Sequence, residues 1–179
     1  RDGSLEALLR SEPVVPGQCI YLPSGTVHAL GGGVLVAEVQ TASDTTFRVF
    51  DWGRTGRELH IQEALACIDF TGTEPETIDF EEVAADDGDW AMRSLVSCEH
   101  FQMNEWTALG TVPHAFVSDE LSVLMVVSGS AIITWGEGEG RTLMVGRGDT
   151  VVLPAGLASA EVHAKLDLTL LEIAPPRTN

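Results

Sequence analysis

The strongest constraint on this sequence is that it repeats itself. PGQCIYLPSGTVH, residues 16–28, aligns with RGDTVVLPAGLAS, residues 147–159, at a constant offset of 131. Gly17, Leu22, Pro23 and Gly25 return as Gly148, Leu153, Pro154 and Gly156. Each copy reads as a turn, a short apolar strand, a Pro-small-Gly turn and then another strand, because Pro and Gly punctuate the backbone and β-branched residues fill the strand between them. A chain carrying this unit twice is expected to hold two related β units rather than one helical core. The copies differ at one chemically important place: His28 in the first is matched by Ser159 in the second.

The rest of the chain supports a mainly β reading. Short helices are expected at 4–10, where Ser4 is placed to cap and Leu5, Leu8 and Leu9 form a stripe, and at 59–68, where Leu59, Ala64, Leu65 and Ile68 share a face. Alternating apolar residues predict strands at 19–22, 34–41 and 45–51. The stretch 71–90 is acidic and poor in large apolar residues, and reads as an irregular surface connection. Strands then follow at 93–98, 100–108, 114–117, 122–128, 130–134, 141–145, 150–153, 158–163 and 166–173. Many short strands at even spacing imply a sandwich or barrel. The division expected is a partial β unit at 1–70, an acidic connection at 71–92 and a second β unit at 93–179. The second Pro-small-Gly turn is preceded by about 60 strand-rich residues, the first by only 22 residues, partly helical. The first unit is therefore expected to be incomplete and to offer open edges to a second copy or to a further N-terminal segment.

Charge and cysteines narrow the function classes. The formal net charge of −17 argues against nucleic acid and anionic membranes as partners. No apolar run approaches the ~20 residues of a membrane span. The three cysteines, Cys19, Cys67 and Cys98, have neither zinc-finger nor disulfide-framework spacing. Free thiols, with Cys19 and Cys98 buried, fit a reducing cytoplasm.

Polar chemistry is concentrated at 15–57. His28, Glu38, Gln40, Asp44, Arg48, Asp51, Arg54 and Arg57 all fall there, and Arg48, Arg54 and Arg57 are three of only ten basic residues in the chain. Arginine's planar fork of donors suits phosphate, although Asp51 and Glu58 are also at hand as ordinary ion-pair partners. His28 is a candidate metal ligand, but one imidazole does not make a catalytic zinc site, which takes about three protein ligands.

The words LPSGTVHALGGGVLVAEVQTASDTTFRVFDWGR and RELHIQEALACIDF carry a resemblance. The Pro-small-Gly motif, with a histidine three residues after its glycine, resembles cupins, which are β-barrels of jelly-roll type. The longer string resembles type I mannose-6-phosphate isomerase, densely from Pro16 to Phe70 and weakly from there to Ile173. The resemblance implies two cupin-like jelly-roll units, the second degenerate, and a chain corresponding to the C-terminal portion of the family. It implies zinc-assisted interconversion of mannose 6-phosphate and fructose 6-phosphate through an enediol. It places His28 as a zinc ligand and Arg48 as the essential arginine, with Asp44 and Glu38 lining the pocket; Arg54 and Arg57 are candidates for phosphate on the chemistry of arginine alone. The family's upstream Gln-x-His ligands have no counterpart in this sequence, and the only lysine is Lys165 in the second repeat. A non-catalytic cupin that binds a sugar phosphate, or serves in assembly, is the competing expectation.

Overall fold

The computed structural model describes residues 4–71, 76–77, 82–84, 88–116, 120–136, 140–157 and 159–176. The chain divides into two compact units, Arg1–Thr77 and Ile78–Asn179.

The first unit has little regular structure. It contains α1 (Ser4–Leu8), β1 (Ile20–Tyr21), α2 (Ile61–Cys67) and β2 (Glu76–Thr77). β1 pairs antiparallel with β2, Ile20 opposite Thr77 and Tyr21 opposite Glu76. Of the expected helical stripe at 59–68, Ala64 is buried and Ile68 half-buried, while Leu59 and Leu65 are exposed. The strands expected at 34–41 and 45–51 do not form. Alternation alone does not make a strand: a neighbour has to take up its N–H and C=O groups. Among the described residues no strand lies beside 34–41, and Leu35 stays 90% exposed. Segment 45–51 is fixed differently, through a contact between Arg48 and His60 described below.

The second unit is a single antiparallel system of eight strands: β3 (Glu82–Ala84), β4 (Trp90–Ser97), β5 (Gln102–Ala108), β6 (His114–Phe116), β7 (Ser122–Trp135), β8 (Arg141–Gly146), β9 (Thr150–Leu153) and β10 (Ala160–Ala174). Two long strands organise it. The C-terminal half of β10 lies between β5 and the start of β7, and the start of β7 also pairs with β9. The N-terminal half of β10 lies between β6 and the end of β7, which also pairs with β8. β7 and β10 thus pass together from a six-stranded layer, β3-β4-β5-β10-β7-β9, into a four-stranded layer, β6-β10-β7-β8. This is jelly-roll topology, and the mainly β, cupin-type expectation holds.

The core forms between these layers from Trp90, Phe116, Leu124, Val126, Ala131, Ile133, Val162, Leu168 and Leu170, among others. Trp90 is fully buried, and its indole N–H donates to the Val112 carbonyl at 2.9 Å. Along β7 the buried positions are Ser122, Leu124 and Val126, then Ala131 and Ile133. The switch from even to odd marks a bend. Gly129, at φ +74°, approaches β10 so closely that a Cβ there would lie 1.9 Å from the Leu166 carbonyl oxygen. β10 bends at the same level, with register shifts between Ala164 and Leu170 and with Asp167 at φ +33°. The expected pairs of strands at 122–128 and 130–134, and at 158–163 and 166–173, are therefore two continuous bent strands. The stretch expected to be irregular at 71–90 contributes β2, β3 and the first residue of β4. Glu82, Val83 and Ala84 pair with Arg93, Met92 and Ala91, so backbone pairing orders an acidic segment that has few apolar residues to bury.

The sequence repeat is a structural repeat. In both units a turn closes with an i to i+3 hydrogen bond, Gln18 N to Val15 O at 3.2 Å and Asp149 N to Gly146 O at 2.9 Å. In each the last side chain accepts from the first backbone N–H, Gln18 Oε1 from Val15 at 3.2 Å and Asp149 Oδ2 from Gly146 at 2.8 Å. The following Pro-small-Gly turns close through Thr26 N to Pro23 O and Leu157 N to Pro154 O, both 3.1 Å. Gly25 (φ +91°) and Gly156 (φ +81°) occupy the left-handed third position that such a turn demands.

Candidate functional site

The first unit contains a cleft of about 200 Å³. Its walls are apolar, with Leu5 and Leu9 from the N-terminal segment, Val27, and Phe47, Val49, Phe50 and Trp52. Its chemistry comes from His28, Arg48 and Asp51. The motif turn delivers His28: Gly25 packs on the end of α2, where the Asp69 N–H donates to the Gly25 carbonyl at 3.1 Å, and His28 follows three residues later. His28 is exposed, and its Nδ1 lies 2.9 Å from the Thr26 carbonyl. A carbonyl oxygen only accepts, so Nδ1 carries the proton and the Nε2 lone pair of the neutral ring stays available. Metal-bound imidazoles are commonly oriented in this way.

Arg48 is held by its backbone. The His60 N–H donates to the Arg48 carbonyl at 2.8 Å, and the Arg48 N–H donates to His60 Nδ1 at 3.3 Å. His60 begins α2, so the helix start and the Arg48 segment are clamped to each other. Among the described residues the Arg48 guanidinium reaches only the Glu58 carbonyl, through a long 3.4 Å contact of Nη1, and the side chain is half-buried on the cleft.

Asp51 is 8% exposed, one of two buried polar residues among those described. Its Oδ1 accepts from Arg54 Nη1 and from Arg57 Nη1, each at 3.5 Å. Its Oδ2 is buried with no hydrogen-bond partner among the described residues. The arginine side chains themselves are 64% and 52% exposed. A tight turn sets this geometry. The Arg54 N–H donates to the Asp51 carbonyl at 2.9 Å, and Trp52 and Gly53 have φ of +47° and +71°, the two left-handed central residues of a type I′ turn. Trp52 leans on Phe50, ring centroids 5.1 Å apart.

The structure thus brings His28 and Arg48 to one cleft and ties Arg54 and Arg57 to it through Asp51. Glu38 and Asp44 are exposed and lie outside the cleft lining. Near them, Gln40 Nε2 donates to the Ser43 carbonyl at 3.0 Å, and the Thr45 N–H donates to Ser43 Oγ at 3.3 Å. From the sequence Asp51 reads only as an ion-pair partner, and His60 only as one more candidate metal ligand beside Glu38, Gln40 and Asp44; its clamp on the Arg48 backbone has no signal there. The available signal for Asp51 was its place at the centre of three arginines, directly before a Trp-Gly turn. Among the described residues no three His, Cys, Asp or Glu side chains cluster as a metal site. His28 fits as one ligand, and the residues described do not by themselves complete a metal centre. In the second unit the position equivalent to His28 is Ser159, also exposed.

No protein-family model matches the chain. Among curated proteins, the mannose-6-phosphate isomerase ManA of Bacillus subtilis is 33% identical over 173 residues, which is 90% of this chain and 50% of the relative. The mannose-6-phosphate isomerase of Streptococcus mutans is 29% identical over 174 residues, 93% of this chain and 52% of the relative. The chain therefore spans about half the length of the curated relatives it matches. Among solved structures, a mannose 6-phosphate isomerase from Bacillus subtilis superposes with a TM-score of 0.59 at 23% identity, over 73% of this chain and 40% of that one, a likeness of fold.

Proposed function

We propose that the chain belongs to the mannose-6-phosphate isomerase family, on its 33% identity to half of one such enzyme, and that its first unit supplies one wall of a site at which mannose 6-phosphate and fructose 6-phosphate are interconverted. The observation that carries this reading is the meeting of His28 and Arg48 in one cleft. The reaction moves a proton between C2 and C1 through an enediol, with negative charge developing on the sugar oxygens. Among the described residues Arg48 is the side chain best placed to answer that charge: its backbone is clamped to His60, and its guanidinium makes one long contact with them. A donor fixed before the charge develops costs little reorganisation, which is why such groups contribute strongly to catalysis. Arg54 and Arg57 take the phosphate. Asp44 and Glu38 have the chemistry of a proton relay and an acid/base, although both are exposed and outside the cleft lining, so their roles rest on the sequence match alone. His28 contributes a single imidazole toward the zinc that the resemblance implies.

A coupled isomerase assay on the chain with added zinc, alongside a calorimetric titration with mannose 6-phosphate, tests the reading. Turnover that falls roughly a hundredfold or more in Arg48→Ala supports it, the size seen when one oxyanion donor is removed. Binding without turnover by the chain alone is what one wall gives; binding without turnover that persists when the other half of a relative is supplied in trans assigns the chain to the non-catalytic sugar-phosphate reading. Absence of both overturns both.

A further inference from the structure

Asp51 is an odd residue to bury. A carboxylate at 8% exposure normally has both oxygens satisfied, yet Oδ2 has no partner among the described residues and Oδ1 has two. The two partners are guanidinium groups. Each Nη1 lies 3.5 Å from the same oxygen, so the two nitrogens are no more than twice that distance apart. Two cations this close repel unless an anion lies between them, and Asp51 is that anion. Only one N–H of each arginine touches it, leaving each guanidinium with donors to spare. The carboxylate is buried while both arginine side chains remain more than half exposed. The arrangement is a buried anchor with two accessible forks. On a chain of net charge −17, it is a place where cationic donors are held together on purpose.

We propose that Asp51 is a positioning residue for a phosphate monoester, gathering Arg54 and Arg57 into one anion-binding pair at the edge of the cleft. The inference rests on the sugar-phosphate reading above and assigns to Asp51 a role that the resemblance did not. The type I′ turn at 51–54 is part of the device. It places Arg54 three residues from the carboxylate with its backbone N–H on the Asp51 carbonyl, so the anchor and the first arginine move together.

The sign of one substitution separates positioning from simple charge. Asp51→Asn removes a negative charge beside the arginines, so electrostatics alone predicts tighter phosphate binding. Positioning predicts the reverse: affinity for mannose 6-phosphate and for inorganic phosphate falls roughly tenfold, the scale of one lost charge-assisted hydrogen bond. Asp51→Glu, which keeps the charge, recovers most of the loss. The unphosphorylated sugar mannose is the control and is unaffected. Calorimetric titration reads all three ligands, and amide spectra confirm the fold of each variant. Unchanged or tighter phosphate binding by folded Asp51→Asn overturns the inference. The unaltered chain gives a second reading that needs no variant at Asp51. Titrated with inorganic phosphate, it should show the Nε–H resonances of Arg54 and Arg57 moving together, and movement of one or neither overturns the inference. If the double variant Arg54→Ala, Arg57→Ala binds phosphate normally, the phosphate role of the arginines fails, and the Asp51 inference with it. If the unaltered chain binds neither phosphate compound, the sugar-phosphate reading itself falls.

Discussion

Alanine at Gly129 should weaken the second unit more than any other single methyl group added to it. The new Cβ would lie 1.9 Å from the Leu166 carbonyl oxygen and 2.7 Å from the Asp167 carbonyl carbon and oxygen. Those atoms are backbone at the bend of β10, where Leu166 is paired with Ser130 of β7 and the Asp167 carbonyl accepts from Ser128 Oγ, so they cannot retreat without disturbing the β7–β10 contact. Two costs combine. A non-glycine residue held at φ +74° pays about 1–2 kcal/mol for the left-handed conformation. Forcing extra volume into a packed region costs about 1–3 kcal/mol more. The expected loss is about 2–5 kcal/mol, a large share of the roughly 5–15 kcal/mol that holds a typical domain together. At about 4–8 °C per kcal/mol for a unit of this size, the melting temperature of the second unit should fall by at least about 10 °C. Gly156→Ala is the matched control, because φ there is +81° but nothing lies within 4 Å of the added Cβ. It should carry only the conformational cost, about 1–2 kcal/mol. The measurement is thermal and denaturant unfolding of both variants, followed through tryptophan fluorescence. Equal losses in the two variants would refute the close approach of β7 and β10 at their shared bend.

Three further outcomes are expected. Gly25→Ala should reduce hydrogen-exchange protection of the Asp69 amide, because the new Cβ would meet the Cys67 carbonyl oxygen at 2.8 Å and Asp69 N at 2.9 Å; protection unchanged from the unaltered chain would argue against this packing. Trp106→Phe should cost about 1.5–3 kcal/mol, since the indole N–H donates to Glu172 Oε2 at 2.9 Å and the substitution leaves that carboxylate oxygen only the longer contact from Asn104; a stability within 0.5 kcal/mol, about the spread of surface changes, would show that the bond contributes little. Trp90→Ala should cost about 3–5 kcal/mol, as befits a fully buried indole, and a small loss on denaturant unfolding would mean the core is centred elsewhere.

What could be read in the sequence followed from what is local. The turn at each copy of the repeat is set by a few adjacent residues, so the offset of 131 between Gly25 and Gly156 reappears as matching hydrogen bonds. Strands 93–98 through 166–173 were legible because their alternation is realised by neighbours within the same unit. Residues 34–41 show the same alternation and form no strand, because a strand is a property of a pair and the second member is not among the described residues. The bend at Gly129 looked like a turn because glycine marks both, and only the pairing of β7 on both sides of it distinguishes them. At the site, His28 and Arg48 were singled out through the resemblance, on the motif residues that carry it. Asp51 was not singled out, because nothing in its neighbourhood of charged residues signals that it is buried. Leu35, by contrast, is apolar and 90% exposed. Burial is fixed by the tertiary arrangement, which local composition does not encode.

Whether the cleft bearing His28, Arg48 and Asp51 receives a phosphorylated hexose is tested most directly by titrating the isotope-labelled chain with mannose 6-phosphate and following amide and arginine side-chain resonances. Saturable shifts are expected at Val27–Ala29, Phe47–Trp52, Arg54 and Arg57, and are expected to be lost in Arg48→Ala. Shifts confined to the second unit, or none at all, would contradict binding in this cleft.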